Sequence, residues 1–191
     1  MLVFAALAYD APKQQNIPQT DEALFHRIAC GEKEAFRTLY SQTAGIVFSY
    51  ALSILRNLEN AEDAMQETFL RIRSAAHLYR PMGKPLAWML TITKNICLMK
   101  LRERNKNGTV PLDSVREPVD LNGIADAEDR MVLETALRVL SREEYQIVML
   151  HAVAGLKHRE SGELLALPLS TVLSKYHRGL KKLRKELEGR L

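Results

Sequence analysis

The chain has 191 residues, carries 27 Lys and Arg against 23 Asp and Glu, and has a formal net charge of only +4. Hydrophobic residues at 47% and charged residues at 26% exclude a disordered chain, and 9 glycines with 7 prolines argue against a turn-dense β fold. Two cysteines, Cys30 and Cys97, exclude a disulfide framework and a four-ligand zinc site.

Residues 1–9 are apolar but far short of the roughly 20 that a transmembrane helix needs. Ala6 and Ala8 match a signal-cleavage pattern, yet the first basic residue, Lys13, stands behind the apolar run instead of before it. Residues 1–20 are expected to be a short extension, frayed or packed on the first helix, of a soluble cytoplasmic protein with reduced thiols. From residue 21 apolar residues recur at helical spacing almost everywhere, and no strand pattern stands out. Residues 21–30 predict a short helix stopped by Gly31, a good left-handed cap. Phe36, Leu39, Tyr40, Val47, Phe48, Ala51 and Leu55 predict one buried stripe on a long helix. The stretch 57–60 breaks it, and Asn60 is expected to cap the next helix. That helix should bury Ala64, Met65, Phe69 and Ile72 and expose Glu62, Asp63, Gln66, Glu67, Arg71 and Arg73.

Two prolines and a glycine mark 79–85 as a loop, and Pro85 suits the first position of a helix, where its missing N–H is no loss. That helix should run to about Arg104. Trp88, Thr91, Asn95, Met99 and Arg102 share one of its faces, while Leu86, Met89, Leu90, Ile96 and Leu101 lie mostly toward the other side. Periodicity lapses over 105–127, which read as a linker. It returns over 128–191. Leu133, Leu137 and Leu140 mark one helix, Ser141 and Glu144 form a capping box, and helices follow over 145–154, 157–165 and 170–187. The expected fold is all-α: two small helical domains, 21–104 and 128–191, joined by a flexible linker, the second containing a helix-turn-helix.

Charge separates these parts. Residues 21–104 are net +3, residues 105–130 net −3 and residues 131–191 net +4. The last helix gathers Lys175, Arg178, Lys181, Lys182, Arg184, Lys185 and Arg190 against Glu186 and Glu188. Such a helix suits phosphates, and equally suits a solvated amphipathic surface. A helix-turn-helix would place its second helix in a major groove, with Ser170, Thr171, Ser174 and Lys175 at base edges and Arg178, Lys181 and Lys182 on phosphates.

Two motif sets then point the same way. The C-terminal pattern of Gly155-Leu156, Glu163-Leu164-Leu165, Leu167-Pro168, Thr171-Val172, Ser174, His177-Arg178 and Leu183-Arg184 resembles the DNA-binding domain of bacterial RNA polymerase sigma factors. The similarity is to the small, two-domain extracytoplasmic-function (ECF) group of the sigma-70 family. The N-terminal set of Ala61-Glu62-Asp63, Gln66-Glu67 and Phe69, followed by Ala87-Trp88, Ile92 and Lys94-Asn95, resembles that group's two central helices. The resemblance spans about residues 21–104 and 131–187.

It implies a transcription initiation factor, not an enzyme and without a cofactor, that binds core RNA polymerase, directs it to promoter DNA and assists melting. Glu62, Asp63, Gln66, Glu67 and Arg71 would dock on the polymerase. Tyr79, Arg80, Lys84, Trp88, Thr91, Asn95 and Arg102 would capture the minus-ten element as single-stranded DNA. Spacing alone reads Trp88 as a core anchor; only the resemblance turns it toward DNA. Ser170, Thr171, Ser174, Lys175, Arg178, Lys181 and Lys182 would bind the minus-thirty-five element, and the acidic linker would thread the polymerase's basic channel. The group typically has an anti-sigma factor, which the sequence neither encodes nor excludes, and no direct membrane contact is expected.

Departures from the group's pattern are Lys157 in place of a capping Ser or Thr, Ser161-Gly162 in place of an apolar–Ala pair, Ala166 in place of a turn glycine, Leu173 in place of a basic residue and Met99 in place of Asp. They motivate an alternative, a degenerate sigma-like DNA-binding regulator that does not support initiation. The histidines have no metal-ligand spacing, so no metal is expected.

Overall fold

A computed structural model describes residues 20–81, 83–106, 135, 138–152 and 154–188. The described residues form seven α-helices and one short 3-10 turn: α1 (Ala23–Ala29), α2 (Lys33–Leu55), α3 (Leu58–Ala75), the 3-10 turn (Ala76–Leu78), α4 (Pro85–Lys106), α5 (Arg142–Ala152), α6 (His158–Leu165) and α7 (Leu169–Glu188). The expected extension, nearly all of the linker, and most of the helix marked by Leu133 and Leu137 lie outside the described residues; Thr135 and Leu140 are described and buried.

Local chemistry sets the breaks. Gly31 takes φ 84° after α1, and its N–H donates to the Ile28 carbonyl at 2.9 Å. Arg56 ends α2 in the left-handed region at φ 56°, where a side chain costs about 1–2 kcal/mol relative to the right-handed form. The cap of α3 is Asn57, not Asn60: Asn57 is extended at φ −145°, and its Oδ1 accepts the Asn60 N–H at 2.8 Å. Asn57 qualifies because it stands outside the helix, whereas Asn60 already lies in the first turn and donates.

The N-terminal module packs α2, α3 and α4 together, with α1 across them. Leu39, Leu52, Ile72, Met89 and Leu90 are fully buried, each contributing about 1.5–3 kcal/mol relative to exposure. Three threonines lie inside this core without an unpaired hydroxyl. Thr43, Thr68 and Thr93 donate to the carbonyls of Leu39, Ala64 and Met89 at 2.7, 2.7 and 3.0 Å, as buried polar groups must. Tyr40, expected in the buried stripe, is 40% exposed and packs its ring at a tilt of 54° to Phe69, with centroids 4.6 Å apart. Conversely, every residue over 50–55 is buried. No amphipathic stripe requires that. It follows from α5, which packs against α2 and extends one apolar cluster across both modules.

In the C-terminal module the expected capping box is present. The Ser141 N–H donates to Glu144 Oε2 at 2.9 Å, and the Glu144 N–H donates to Ser141 Oγ at 3.3 Å. α6 has half of such a box: the Lys157 N–H donates to Glu160 Oε2 at 2.9 Å, while the lysine ammonium has no lone pair to return. Ala166 takes φ 57°, the left-handed turn position expected of a glycine.

Candidate nucleic-acid and polymerase interface

α4 splits as its spacing predicts. Leu86, Met89, Leu90, Ile96 and Leu101 are buried. Thr91, Asn95, Met99 and Arg102 are exposed on the opposite side. Trp88 is half-buried between them. Its ring meets Phe25 edge-on at 5.4 Å and Tyr79 edge-on at 5.2 Å, and Phe25 stacks on Tyr79 at 4.3 Å. The tryptophan is thus both a core anchor and a partly accessible aromatic surface, and the two roles share one ring.

The 79–85 loop beside this face is pinned from the N-cap of α1. Glu22 Oε1 accepts the Gly83 N–H at 2.8 Å and the Tyr79 hydroxyl. Neither Glu22 nor Phe25 stood out in the sequence, because the contacts join residues some sixty positions apart, for example 61 for Gly83 and Glu22. Arg80 and Lys84 are exposed on the loop. An open groove of about 260 Å³ runs between α3 and α4, lined by Arg71, Ala75, Ile92, Asn95, Ile96 and Met99.

On α3, Glu62, Asp63, Gln66 and Arg71 are exposed and Glu67 is half-buried. Arg71 donates to Glu67 Oε1 at 3.1 Å, and Asp63 lies 3.6 Å from Lys100 Nζ. Such exposed pairs hold orientation more than stability. Leu70, 64% exposed, adds an apolar side chain to the same helix.

On α7, Ser170, Ser174, Arg178 and Lys181 are exposed and Thr171 is half-buried. Lys175 and Lys182 are tied down. Lys175 Nζ lies 2.7 Å from Glu143, and Lys182 Nζ lies 2.6 Å from Glu144. Glu144 is only 2% exposed. Burial pushes its carboxyl up, but the Lys182 ammonium and the Ser141 donors outweigh burial and hold it below the ordinary value. α5, α6 and α7 also bring three rings together: His151 stacks on His158 at 4.0 Å, and Tyr176 lies 4.9 and 4.7 Å from them. Burial, then the neighbouring His151 and His177, lower the proton affinity of His158. Among the described residues, no group of three or more His, Cys, Asp or Glu could hold a metal ion, and no helix is long and apolar enough to cross a membrane.

Within the Ser161-Gly162 departure, the glycine has a structural account. A Cβ on Gly162 would stand 2.8 Å from the Leu167 carbonyl oxygen. That carbonyl is backbone, so glycine is what lets the turn close on α6. Ser161 is fully buried beside it, and its hydroxyl has no hydrogen-bond partner among the described residues.

The chain matches Sigma-70 region 2 over residues 39–107 and Sigma-70, region 4 over residues 130–183. It is 30% identical over 175 residues to the ECF RNA polymerase sigma factor SigK of Mycobacterium ulcerans, a match covering 87% of this chain and 93% of that protein. The chain belongs to the ECF sigma factors of the sigma-70 family. The sigma factor is also 32% identical over 155 residues to SigE of Mycolicibacterium smegmatis, covering 76% of this chain and 59% of that one. Its fold is similar to CnrH, solved in complex with the cytosolic domain of CnrY, at a TM-score of 0.61 and 20% identity over 89% of this chain and 98% of that one. RpoE from Bartonella quintana, solved in complex with the anti-sigma factor NepR, also gives 0.61, at 18% identity over 81% and 98%. α3 and α4 fall inside region 2, and α5, α6 and most of α7 inside region 4. The protein is a transcription initiation factor.

Proposed function

We propose that this sigma factor acts through three surfaces: the α3 face on core RNA polymerase, the α4 face with its adjacent loop on the single-stranded minus-ten element, and α7 on the minus-thirty-five duplex. One observation supports the assignment best. α4 exposes an aromatic, amide and guanidinium series (Trp88, Thr91, Asn95, Arg102) on one side while its other side is sealed in the core. Unstacked bases need such a surface: a ring to stack on, an amide that both donates and accepts, and a cation for phosphate. Tyr79 and Trp88 come already ordered by Phe25 and Glu22, so little side-chain freedom is lost on capture.

On α7, Arg178 and Lys181 are the residues proposed for phosphate, with Ser170, Thr171 and Ser174 at base edges. Lys175 and Lys182 reach the duplex only by leaving Glu143 and Glu144. The factor makes and breaks no covalent bond; the polymerase does the chemistry, in the cytoplasm. An anti-sigma factor that covers the α3 face would switch it off. The alternative of a degenerate regulator gains no support from Gly162, which fits the turn it occupies, whereas Ala166 holds its left-handed position at a cost of about 1–2 kcal/mol.

The test is transcription in vitro with core polymerase over a genomic promoter library, followed by start-site mapping. Discrete starts that depend on the added factor are expected. Silence across the library, with the folded factor still bound to polymerase, overturns initiation and leaves the degenerate reading.

A further inference from the structure

α2 and α3 leave an apolar groove on the surface of the N-terminal module. Tyr40, Ala44 and Phe48 follow one another at four-residue steps along α2, and Leu58 and Met65 line the groove from α3. Tyr40 is 40% exposed and the other four are half-buried, so this apolar surface has water on one side. The open space measures about 340 Å³, and Glu62 and Gln66 complete its lining with Gly45. Gly45 is exposed in the middle of α2, and a Cβ added there would meet nothing within 4 Å. A glycine inside a helix costs stability relative to alanine, and no packing among the described residues asks for one here. Its absent side chain keeps the groove open. By contrast, the cleft beside Trp88 includes Arg80, Lys84, Glu160 and Glu163, and the groove between α3 and α4 includes Arg71 and Asn95. The α2–α3 groove has no basic residue in its lining.

The chain itself carries a segment of matching chemistry. Met1–Tyr9 is apolar throughout, and the first basic residue behind it, Lys13, complements Glu62. The described chain begins at Thr20, just before α1, so residues 10–19 join this segment to the module. Ten residues span at most about 33–36 Å. A module of about 85 residues has a radius of gyration of about 12 Å, so the groove lies within reach. Through a tether of that length the segment is present at an effective concentration of about millimolar, and a weak contact is enough to hold it. We propose that Met1–Tyr9 docks in the α2–α3 groove of its own chain and competes there with core polymerase. The competition rests on the polymerase reading of the α3 face given above, because Glu62 and Gln66 belong to both surfaces; the docking does not. Burying the segment removes apolar area of both partners from water. Polymerase must displace it, so the extension sets how readily the factor is taken up.

The experiment uses the full chain with p-benzoylphenylalanine in place of Phe4, irradiated and mapped by mass spectrometry. A benzophenone inserts readily into methionine C–H bonds, and Met65 lines the groove. A cross-link within one chain to Met65 or to residues 40–48 is expected. Gly45→Trp fills the groove from a position with open space and should abolish that link. Phe4→Ser combined with Leu7→Ser weakens the segment's apolar contact without changing net charge. It should tighten the full chain's binding to core polymerase by about two- to tenfold, the factor for a tethered segment whose own dissociation constant is about 0.1–1 mM. Circular dichroism melts establish that all variants fold. Cross-links confined to α1 or to other surfaces overturn the docking, as does a groove link that survives Gly45→Trp. A covalent dimer linked through the same residues makes a second copy the occupant and overturns docking within the chain. A groove link within the chain, with polymerase affinity unchanged in the double variant, upholds the docking and overturns the polymerase reading of Glu62 and Gln66.

Discussion

Replacing Glu144 with glutamine isolates the charge of one buried carboxylate without changing its shape. In the parent, this side chain accepts the Ser141 N–H at 2.9 Å and the Lys182 ammonium at 2.6 Å while only 2% of the residue is exposed. Hydrogen bonds to charged groups contribute about 1.5–3 kcal/mol and neutral ones about 0.5–1.5. The glutamine amide oxygen still accepts one N–H, so what is lost is the charge-assisted part of both bonds. Lys182 keeps a side-chain exposure of 42%, and solvent screening places the expected loss at about 1–2 kcal/mol. For a chain of this size that is a fall of about 2–8 °C in Tm, read by far-UV circular dichroism at pH 7.

The pH dependence follows from the sign of the shift. Glu144 has a depressed carboxyl pKa in the folded state, so its contribution is present above the ordinary value of 4.5 and is lost as pH falls through the folded value. The gap between parent and variant should therefore be constant near neutrality and shrink below about pH 4.5. A loss under about 0.5 kcal/mol at pH 7, or a gap that survives acidification, refutes the assignment of Glu144 as the charged anchor of α5 on α7. Lys182→Met should lose a similar amount and add little to Glu144→Gln, since both remove one pair.

Ser161→Ala removes a buried hydroxyl that has no partner among the described residues, and should raise stability by about 1 kcal/mol in urea unfolding; a loss would mean that the hydroxyl is satisfied. Gly162→Ala should lose at least about 1–3 kcal/mol, because the added Cβ meets backbone and not a flexible side chain; a neutral result would show that the turn can shift. His158 has a lowered folded-state pKa, so stability should be full above the ordinary value of 6.5 and decline as pH falls below it, where the unfolded chain takes up the proton first. His158→Asn should flatten that decline in melts between pH 7.5 and pH 5.5. In DNA binding by the full chain, Arg178→Ala should reduce the salt slope by about one, as expected for a lost phosphate contact; an unchanged slope would remove Arg178 from the duplex.

Local signals carried most of the secondary structure. Gly31, the Ser141–Glu144 box and Pro85 each act through neighbours within a few positions, so their effect shows in the sequence, and the structure repeats it. The exposed and buried sides of α4 were legible for the same reason, since helical periodicity is a local property. Asn57 and Asn60 show the limit. Both are good caps, and the choice depended on where the left-handed Arg56 released the chain from α2. Tyr40 shows another. Its spacing fits the stripe, but how far a stripe stays covered depends on how widely its neighbours spread.

The sequence by itself determined an all-helical chain in two modules, the family to which it belongs, and which side of α4 faces outward. These rest on periodicity and on motifs confined to single helices. Tertiary structure alone decided that Glu22 orders the 79–85 loop, that Lys175 and Lys182 serve Glu143 and Glu144, and that α6 lies over Lys84 and Lys94. Each of these joins side chains distant along the chain. A charge count assigns every lysine the same unit of charge, whereas only packing sets which of them already has a partner.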